Sequence, residues 1–326
     1  MIKVIYFDKV FPDMVELIES IKPSGVTVTY WYTLNDKEKE QALNSADYFL
    51  VALYKITQEL IQKAPKLKMI QKTGVGVDNI DLAAAKTLGI PVANTPGGNA
   101  TSVAELTLGM IINLYRKINI LDRETKKGNW MSWEFRPSSY EVKGKTHGII
   151  GFGNIGREVA RLSQAFGTNV IYYDLRRLEP AEEKRLNVTY HELNELLQKS
   201  DIISIHLPLT PDTKNLISER ELALLKPTAL LINVARGNIV DEVALYRALK
   251  ENKLLGAGID VWSKEPVEDN PLLTLNNVLA TPHIGAGTRD TLQTVLGLAF
   301  ENIIATTRGK NPRFVVNGVT TIQQNR

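Results

Sequence analysis

The chain has 326 residues, a formal net charge of +3, 44% hydrophobic residues and no cysteine. That length exceeds one comfortable core and favours two domains. The missing cysteines exclude disulfides, thiolate metal sites and a cysteine nucleophile. The balanced charge, with no run of five or six like charges, gives no basic stripe for nucleic acid. No apolar run reaches the roughly twenty residues that span a bilayer, and Met1 to Phe7 opens as a strand rather than as a secretory leader. A cytoplasmic protein with no metal centre, no nucleic-acid partner and no membrane partner is the expectation.

In chain order, candidate strands at 2–7, 26–30, 47–53, 68–72 and 91–93 alternate with helical stretches near 11–21, 36–45, 57–64 and 80–88. Such alternation with short Gly/Pro-marked links predicts parallel α/β layers. Thr95-Pro96-Gly97-Gly98-Asn99 reads as a loop, and Thr101 or Ser102 is placed to cap a long helix running to Lys117. The alternation then resumes, with strands near 146–150, 169–173, 201–205, 229–234, 256–260 and 277–280. Helices fall near 155–166, 191–199, 218–224 and 241–251. A last helical pattern fills 288–308 and ends at Arg308-Gly309, where a C-cap is expected. The apolar Phe314-Val315-Val316 predicts that the tail returns to the first lobe.

The most informative stretch is Gly151-Phe152-Gly153-Asn154-Ile155-Gly156. It follows the buried strand pattern Lys145 to Ile150, leads into a helix, and has Asp174 about twenty residues beyond its central glycine, after Val170-Ile171-Tyr172-Tyr173. This is a dinucleotide fingerprint: glycines for the tight turn and the approach of a pyrophosphate, a helix N-terminus for its charge, and a carboxylate for the ribose hydroxyls. Its central position implies that something else comes first. The fold class is α/β, two Rossmann-like or flavodoxin-like doubly wound parallel-sheet lobes with a cofactor cleft between them. Residues 1–98 form the first part of a substrate lobe, 99–289 the dinucleotide lobe, and 290–326 a hinge helix and returning tail. Asp174 favours NAD over NADP, although Arg176 or Arg177 could accommodate a 2′-phosphate.

Three loops after strand ends carry the candidate chemistry. In Asn233-Val234-Ala235-Arg236-Gly237, Arg236 can present a planar fork to a carboxylate, or make a structural ion pair. In Gly258 to Pro266, Glu265 lies beyond a buried strand, a position that alone reads as surface. In Ala280-Thr281-Pro282-His283-Ile284-Gly285, His283 has small residues behind it. Of the four histidines, His147 reads as a satisfied core residue and His191 as exposed. His206 ends a strand, where it touches a cofactor or shapes the loop. His283 is the best acid–base candidate.

Taken together, these residues resemble the D-isomer-specific 2-hydroxyacid dehydrogenases over nearly the whole chain. The resemblance includes Thr73-Gly74-Val75-Gly76-Val77-Asp78-Asn79, Asn94-Thr95-Pro96-Gly97, Val103-Ala104-Glu105, the fingerprint, His206-Leu207-Pro208-Leu209-Thr210 and the three loops. It implies an NAD-dependent enzyme interconverting a 2-keto acid and a D-2-hydroxy acid, usually as a homodimer. It implies His283 as proton donor, Glu265 as its partner and Arg236 on the substrate carboxylate, with backbone N–H groups around Val75 and Gly76 on the other side. Cofactor contacts are implied at Gly151, Gly153, Asn154, Ile155, Gly156, Asp174, His206, Leu207, Pro208, Val234, Ala235, Arg236, Asp260, His283, Gly285 and Thr101. The helix start and the His283 loop most resemble 3-phosphoglycerate dehydrogenases and glyoxylate/hydroxypyruvate reductases. The arginine that suits a phosphate is missing from Val51-Ala52-Leu53-Tyr54-Lys55, and Lys72 replaces another; Lys55 and Lys72 are either phosphate contacts or surface residues. Leu53 and Tyr54 suggest an apolar substrate contact. The alternative is a non-catalytic NAD-sensing protein of the corepressor type.

Overall fold

The computed structural model describes residues 1–319. The chain divides into two compact units, one of Met1–Asn99 with the segment from Thr288 onward, the other of Ala100–Gly287. In the first unit, β1 (Ile2–Tyr6), α1 (Pro12–Ile21), β2 (Val26–Tyr30), α2 (Asp36–Ser45), β3 (Tyr48–Val51), α3 (Gln58–Gln62), β4 (Met69–Lys72), α4 (Leu82–Thr87) and β5 (Val92–Ala93) alternate as the sequence predicts. The five strands are parallel, in the order β2-β1-β3-β4-β5, the flavodoxin-like arrangement. β3 and β4 are buried at every position, as strands covered on both faces must be. One face packs Phe7, Phe49, Ile61 and Ile70. The other packs Val4, Tyr48 and Met69 against Leu296, Phe300 and Ile303 of the C-terminal helix Arg289–Thr307. The tail does return to this unit: Val315 bridges Ala93 antiparallel, and the Asn317 side chain bonds the backbone of Ile90 and Val92.

β3 stops two residues earlier than predicted. The Asp8 carboxylate accepts the N–H groups of Ala52, Leu53 and Tyr54 at 2.5, 2.6 and 2.9 Å, so the chain leaves the sheet to wrap one side chain.

The second unit begins with α5 (Ala100–Arg116), so Thr101 and Ser102 lie inside its first turn rather than capping it. It continues with α6 (Ile118–Lys126), β6 (Thr146–Ile150), α7 (Asn154–Ala165), β7 (Asn169–Tyr173), α8 (Pro180–Leu186), β8 (Thr189–Tyr190), α9 (Leu193–Lys199), β9 (Ile202–Ile205), α10 (Glu219–Leu222), β10 (Leu230–Asn233), α11 (Glu242–Lys250), β11 (Gly256–Ile259) and β12 (Val278–Ala280). The seven parallel strands run β12-β11-β10-β9-β6-β7-β8. Strand order therefore reverses between β6 and β9, the switch point at which doubly wound sheets open a crevice for ligands. Among the described residues no helix is long and apolar enough to cross a membrane.

Candidate active site and dinucleotide loop

The glycine loop leaves the carboxyl end of β6 at that switch point. Gly151 has φ +94°, and a β-carbon there would lie 2.8 Å from the His206 carbonyl, so only glycine lets the loop sit against the end of β9. A β-carbon at Gly156 would strike the Gly151 carbonyl, which fixes α7 close behind the loop. One at Gly153 would meet nothing within 4 Å. Its open face lies over the first turn of α7, where N–H groups lack an intrahelical acceptor. The loop thus has a tight floor and an open mouth, which fits a pyrophosphate.

Asp174 closes one end. Its carboxylate accepts Phe152 N–H at 2.7 Å and Arg176 N–H at 3.0 Å, holding it at the tip of β7. Arg177 is committed elsewhere: both its Nε and Nη2 bond Glu183, which also accepts the Tyr172 hydroxyl, and its guanidinium lies 5.2 Å from the Tyr190 ring centre. A carboxylate at the tip of β7 with one of its two neighbouring arginines engaged fits NAD better than NADP.

The three candidate catalytic residues all fall in this unit, each after its own strand: Arg236 after β10, Glu265 after β11, His283 after β12. His283 Nδ1 lies 2.8 Å from Glu265 Oε2, and the Trp262 N–H donates to Glu265 Oε1 at 3.0 Å. With Nδ1 so engaged, Nε2 is the ring nitrogen left for proton transfer. Burial pushes the Glu265 carboxyl up, but the bonds from His283 and Trp262 and the charges of His283 and Arg236 outweigh it, so it stays ionised below the usual range. His283 has φ +54°, a left-handed conformation that costs a non-glycine residue of order 1 kcal/mol. Asp260 sustains it. This buried carboxylate accepts the Thr281 hydroxyl and the Ile284 and Gly285 N–H groups, while the Asp260 carbonyl takes His283 N–H. The Arg236 loop is shaped by Asn233, whose side chain bridges Ala235 N–H and the Arg236 carbonyl. Val234 and Ala235 are buried beside it.

Two supports were not foreseen from sequence. Glu242, at the start of α11, takes the Ser263 N–H and hydroxyl and the Asn270 amide, tying down the turn that carries Glu265. Trp262 donates its indole N–H to the Thr281 carbonyl, joining the Glu265 and His283 loops. Both act through backbone groups distant in sequence, which no local motif reports.

The other histidines sort differently from one another. His147 is fully buried and bonds Ser163 and Ser204 at 2.9 Å each, as a satisfied core residue. His191 is not exposed as expected; it is half-buried and pairs with Glu195 at 3.0 Å, one helical turn on. His206 follows β9, with Leu207 against Gly151 and Pro208 beyond. Burial holds His147 and His206 down to about 3. The unfolded chain binds those protons near pH 6.5 and the fold does not, so stability is complete above that value and falls as pH drops towards 3. Between pH 7 and 5 the expected loss is about 2 kcal/mol per histidine. Urea unfolding at the two pH values measures it, and His147→Leu should remove about half of the difference.

Leu53, Tyr54, Val75 and Gly76 belong to the first unit. Leu53 is 62% exposed, and Tyr54 is wedged among Phe7, Trp31 and Tyr32, its hydroxyl accepting Trp31 Nε1–H. Val75 and Gly76 N–H groups make no hydrogen bond among the described residues. Lys72 is buried, its ammonium bonded to the Ala52 carbonyl and the Asn79 side chain. It supports the 52–54 loop and is not a surface lysine.

A seven-stranded doubly wound unit with a glycine loop at its switch point, a carboxylate at the tip of the next strand and a histidine–glutamate pair on adjoining loops defines a dinucleotide-dependent oxidoreductase class. Residues 108–285 match the NAD binding domain of the D-isomer specific 2-hydroxyacid dehydrogenases, and the chain belongs to that family. It is 39% identical over 318 residues to a D-3-phosphoglycerate dehydrogenase of Methanocaldococcus jannaschii, covering 97% of this chain but 60% of that protein. It is 41% identical over 268 residues to a glyoxylate reductase of Thermococcus litoralis, covering 81% of each. The D-lactate dehydrogenase structure from Aquifex aeolicus, complexed with NAD and lactic acid, superposes with a TM-score of 0.80 at 33% identity, covering 94% of this chain and 96% of that one.

Proposed function

We propose that the protein interconverts a 2-keto acid and a D-2-hydroxy acid with NAD, and that its preferred substrate carries a small or apolar side chain rather than a phosphate. The observation that carries the reaction is the 2.8 Å His283–Glu265 pair with Arg236 on the neighbouring strand end. Bound NADH supplies the hydride. As it arrives, negative charge develops on the keto oxygen, and His283 Nε2 delivers a proton there. Glu265 holds the ring through Nδ1. Arg236 binds the carboxylate and polarises the carbonyl. His206, Asp260, Gly285 and Thr101 join the glycine loop and the 234–235 turn in holding the cofactor.

The engaged Lys72 and the exposed, apolar Leu53 support a glyoxylate/hydroxypyruvate reductase-like preference over a phosphoglycerate dehydrogenase-like one. We place the enzyme in the cytoplasm as a homodimer. Trp130 and Trp133 are 81% and 70% exposed, and the amphipathic α6 beside them buries no residue, an apolar surface a second copy would cover. Sedimentation should give twice the chain mass.

NADH oxidation with glyoxylate, hydroxypyruvate, pyruvate, longer 2-keto acids and 3-phosphohydroxypyruvate tests the reading, with NADPH in parallel. The unphosphorylated acids and NADH should give the higher kcat/KM. Preference for the phosphorylated acid would overturn the substrate assignment. A silent panel with tight NADH binding would replace the enzyme with an NAD-sensing protein.

A further inference from the structure

We propose that His147, buried in β6, is a positioning residue for the dinucleotide: through Ser204 it keeps the proton of His206 on Nδ1, making that nitrogen a donor for a cofactor oxygen. The inference rests on the NAD-binding reading given above.

Five side chains form one unbranched chain of hydrogen bonds in the second unit. Thr168 Oγ1 lies 2.8 Å from Ser163 Oγ, and Ser163 Oγ lies 2.9 Å from His147 Nδ1. On the far side of the ring, His147 Nε2 is 2.9 Å from Ser204 Oγ, which is 2.8 Å from His206 Nε2. Ser163, Ser204 and His147 are wholly buried and Thr168 nearly so. Beyond them His206 Nδ1 is buried and makes no hydrogen bond among the described residues.

Each hydroxyl has one hydrogen but can accept twice, and each neutral imidazole has one N–H, so several arrangements are possible, and all but one leave a buried hydroxyl hydrogen unspent. Among the described residues the Thr168 hydroxyl is bonded to Ser163 Oγ alone, so its hydrogen is satisfied by donating there. Ser163 must then donate to His147 Nδ1, which leaves the His147 proton on Nε2, donating to Ser204. Ser204 in turn donates to His206 Nε2, and the His206 proton is left on Nδ1. The reverse direction strands the Thr168 hydrogen and leaves Nδ1 a bare acceptor. Burial keeps both rings neutral, as this count requires.

The place of the unspent donor gives it a purpose. His206 ends β9, its carbonyl packed on Gly151, at the β6/β9 switch point. A phosphate or ribose oxygen over the glycine loop is an acceptor, and a bare Nδ1 would repel it. A free imidazole prefers its proton on Nε2, so the buried chain selects the tautomer that solution disfavours.

The 326-residue chain labelled with 15N-histidine has four histidines to resolve. Long-range proton–nitrogen spectra without cofactor should show the His206 proton on Nδ1 and its bare nitrogen at Nε2, with His206→Asn giving the assignment. A bare Nδ1 in the wild type overturns the proposal without any mutant. His147→Leu should leave the His206 tautomer mixed and raise the NADH Kd, read by fluorescence, about fivefold, the scale of one net hydrogen bond. Turnover at saturating NADH should change less than about twofold, since the chemistry lies elsewhere. In the His206→Asn background, whose amide donates without the relay, His147→Leu should leave Kd unchanged; an equal loss in both backgrounds would assign His147 a purely structural part. Failure of the wild type to bind NADH would remove the cofactor reading while the spectra still decide the tautomer.

Discussion

His283→Ala is expected to lower kcat/KM by at least about a hundredfold, the usual scale for loss of a general acid, and Arg236→Ala by a similar factor. Reduction of a 2-keto acid places a developing oxyanion next to a carboxylate, so two negative centres must be met by a cation and a proton donor. In the proposed reaction those parts are Arg236 and His283 Nε2. His283 is partly exposed, and its loop is organised by Asp260 through backbone groups, so the Tm of His283→Ala should stay close to wild type while turnover collapses. Arg236→Lys should recover little, because an ammonium keeps the charge but not the planar fork. Near-wild-type turnover in either alanine variant would sink the assignment of roles.

Gly237→Ala should damage the protein in a different way. A β-carbon at Gly237 would fall inside the Trp262 carbonyl and 2.6 Å from the Ser263 nitrogen. Both obstacles are backbone, so no side chain can swing aside. The expected cost is about 3 kcal/mol, at the upper end for overpacking, and the relief available is separation of the Arg236 turn from the turn that carries Glu265. Stability and kcat/KM should fall together. Gly153→Ala provides the contrast, since its β-carbon meets nothing within 4 Å. That variant should unfold like the wild type in urea yet bind NADH more weakly. A Gly237→Ala protein with unchanged stability would mean that the two turns are not locked together there.

Most strands were legible because parallel strands covered on both faces must be nearly continuous apolar runs, as β3, β9 and β10 are apart from Ser204 and Asn233. What escaped had no such signature. α6 buries nothing, and its separation from α5 depends on Lys117 turning left-handed at φ +53°, which periodicity does not announce. β8 is two residues long, and α8 is mostly polar. The same divide runs through the site. Arg236, Glu265 and His283 each follow a strand that could be read, so their convergence could be anticipated. Asp8, Asp260 and Glu242 work by accepting backbone N–H groups 21 to 46 residues away, and only the folded chain brings donor and acceptor together.

The Asp8 clasp has a consequence for how such an enzyme could change its diet. Because one carboxylate at the tip of β1 collects three successive N–H groups of the 52–54 loop, that loop keeps its backbone whatever side chains it bears. Leu53 and Lys55, both exposed, are then interchangeable tips on a fixed mount. New side chains could be tried there one residue at a time while the backbone of the loop stays as Asp8 holds it.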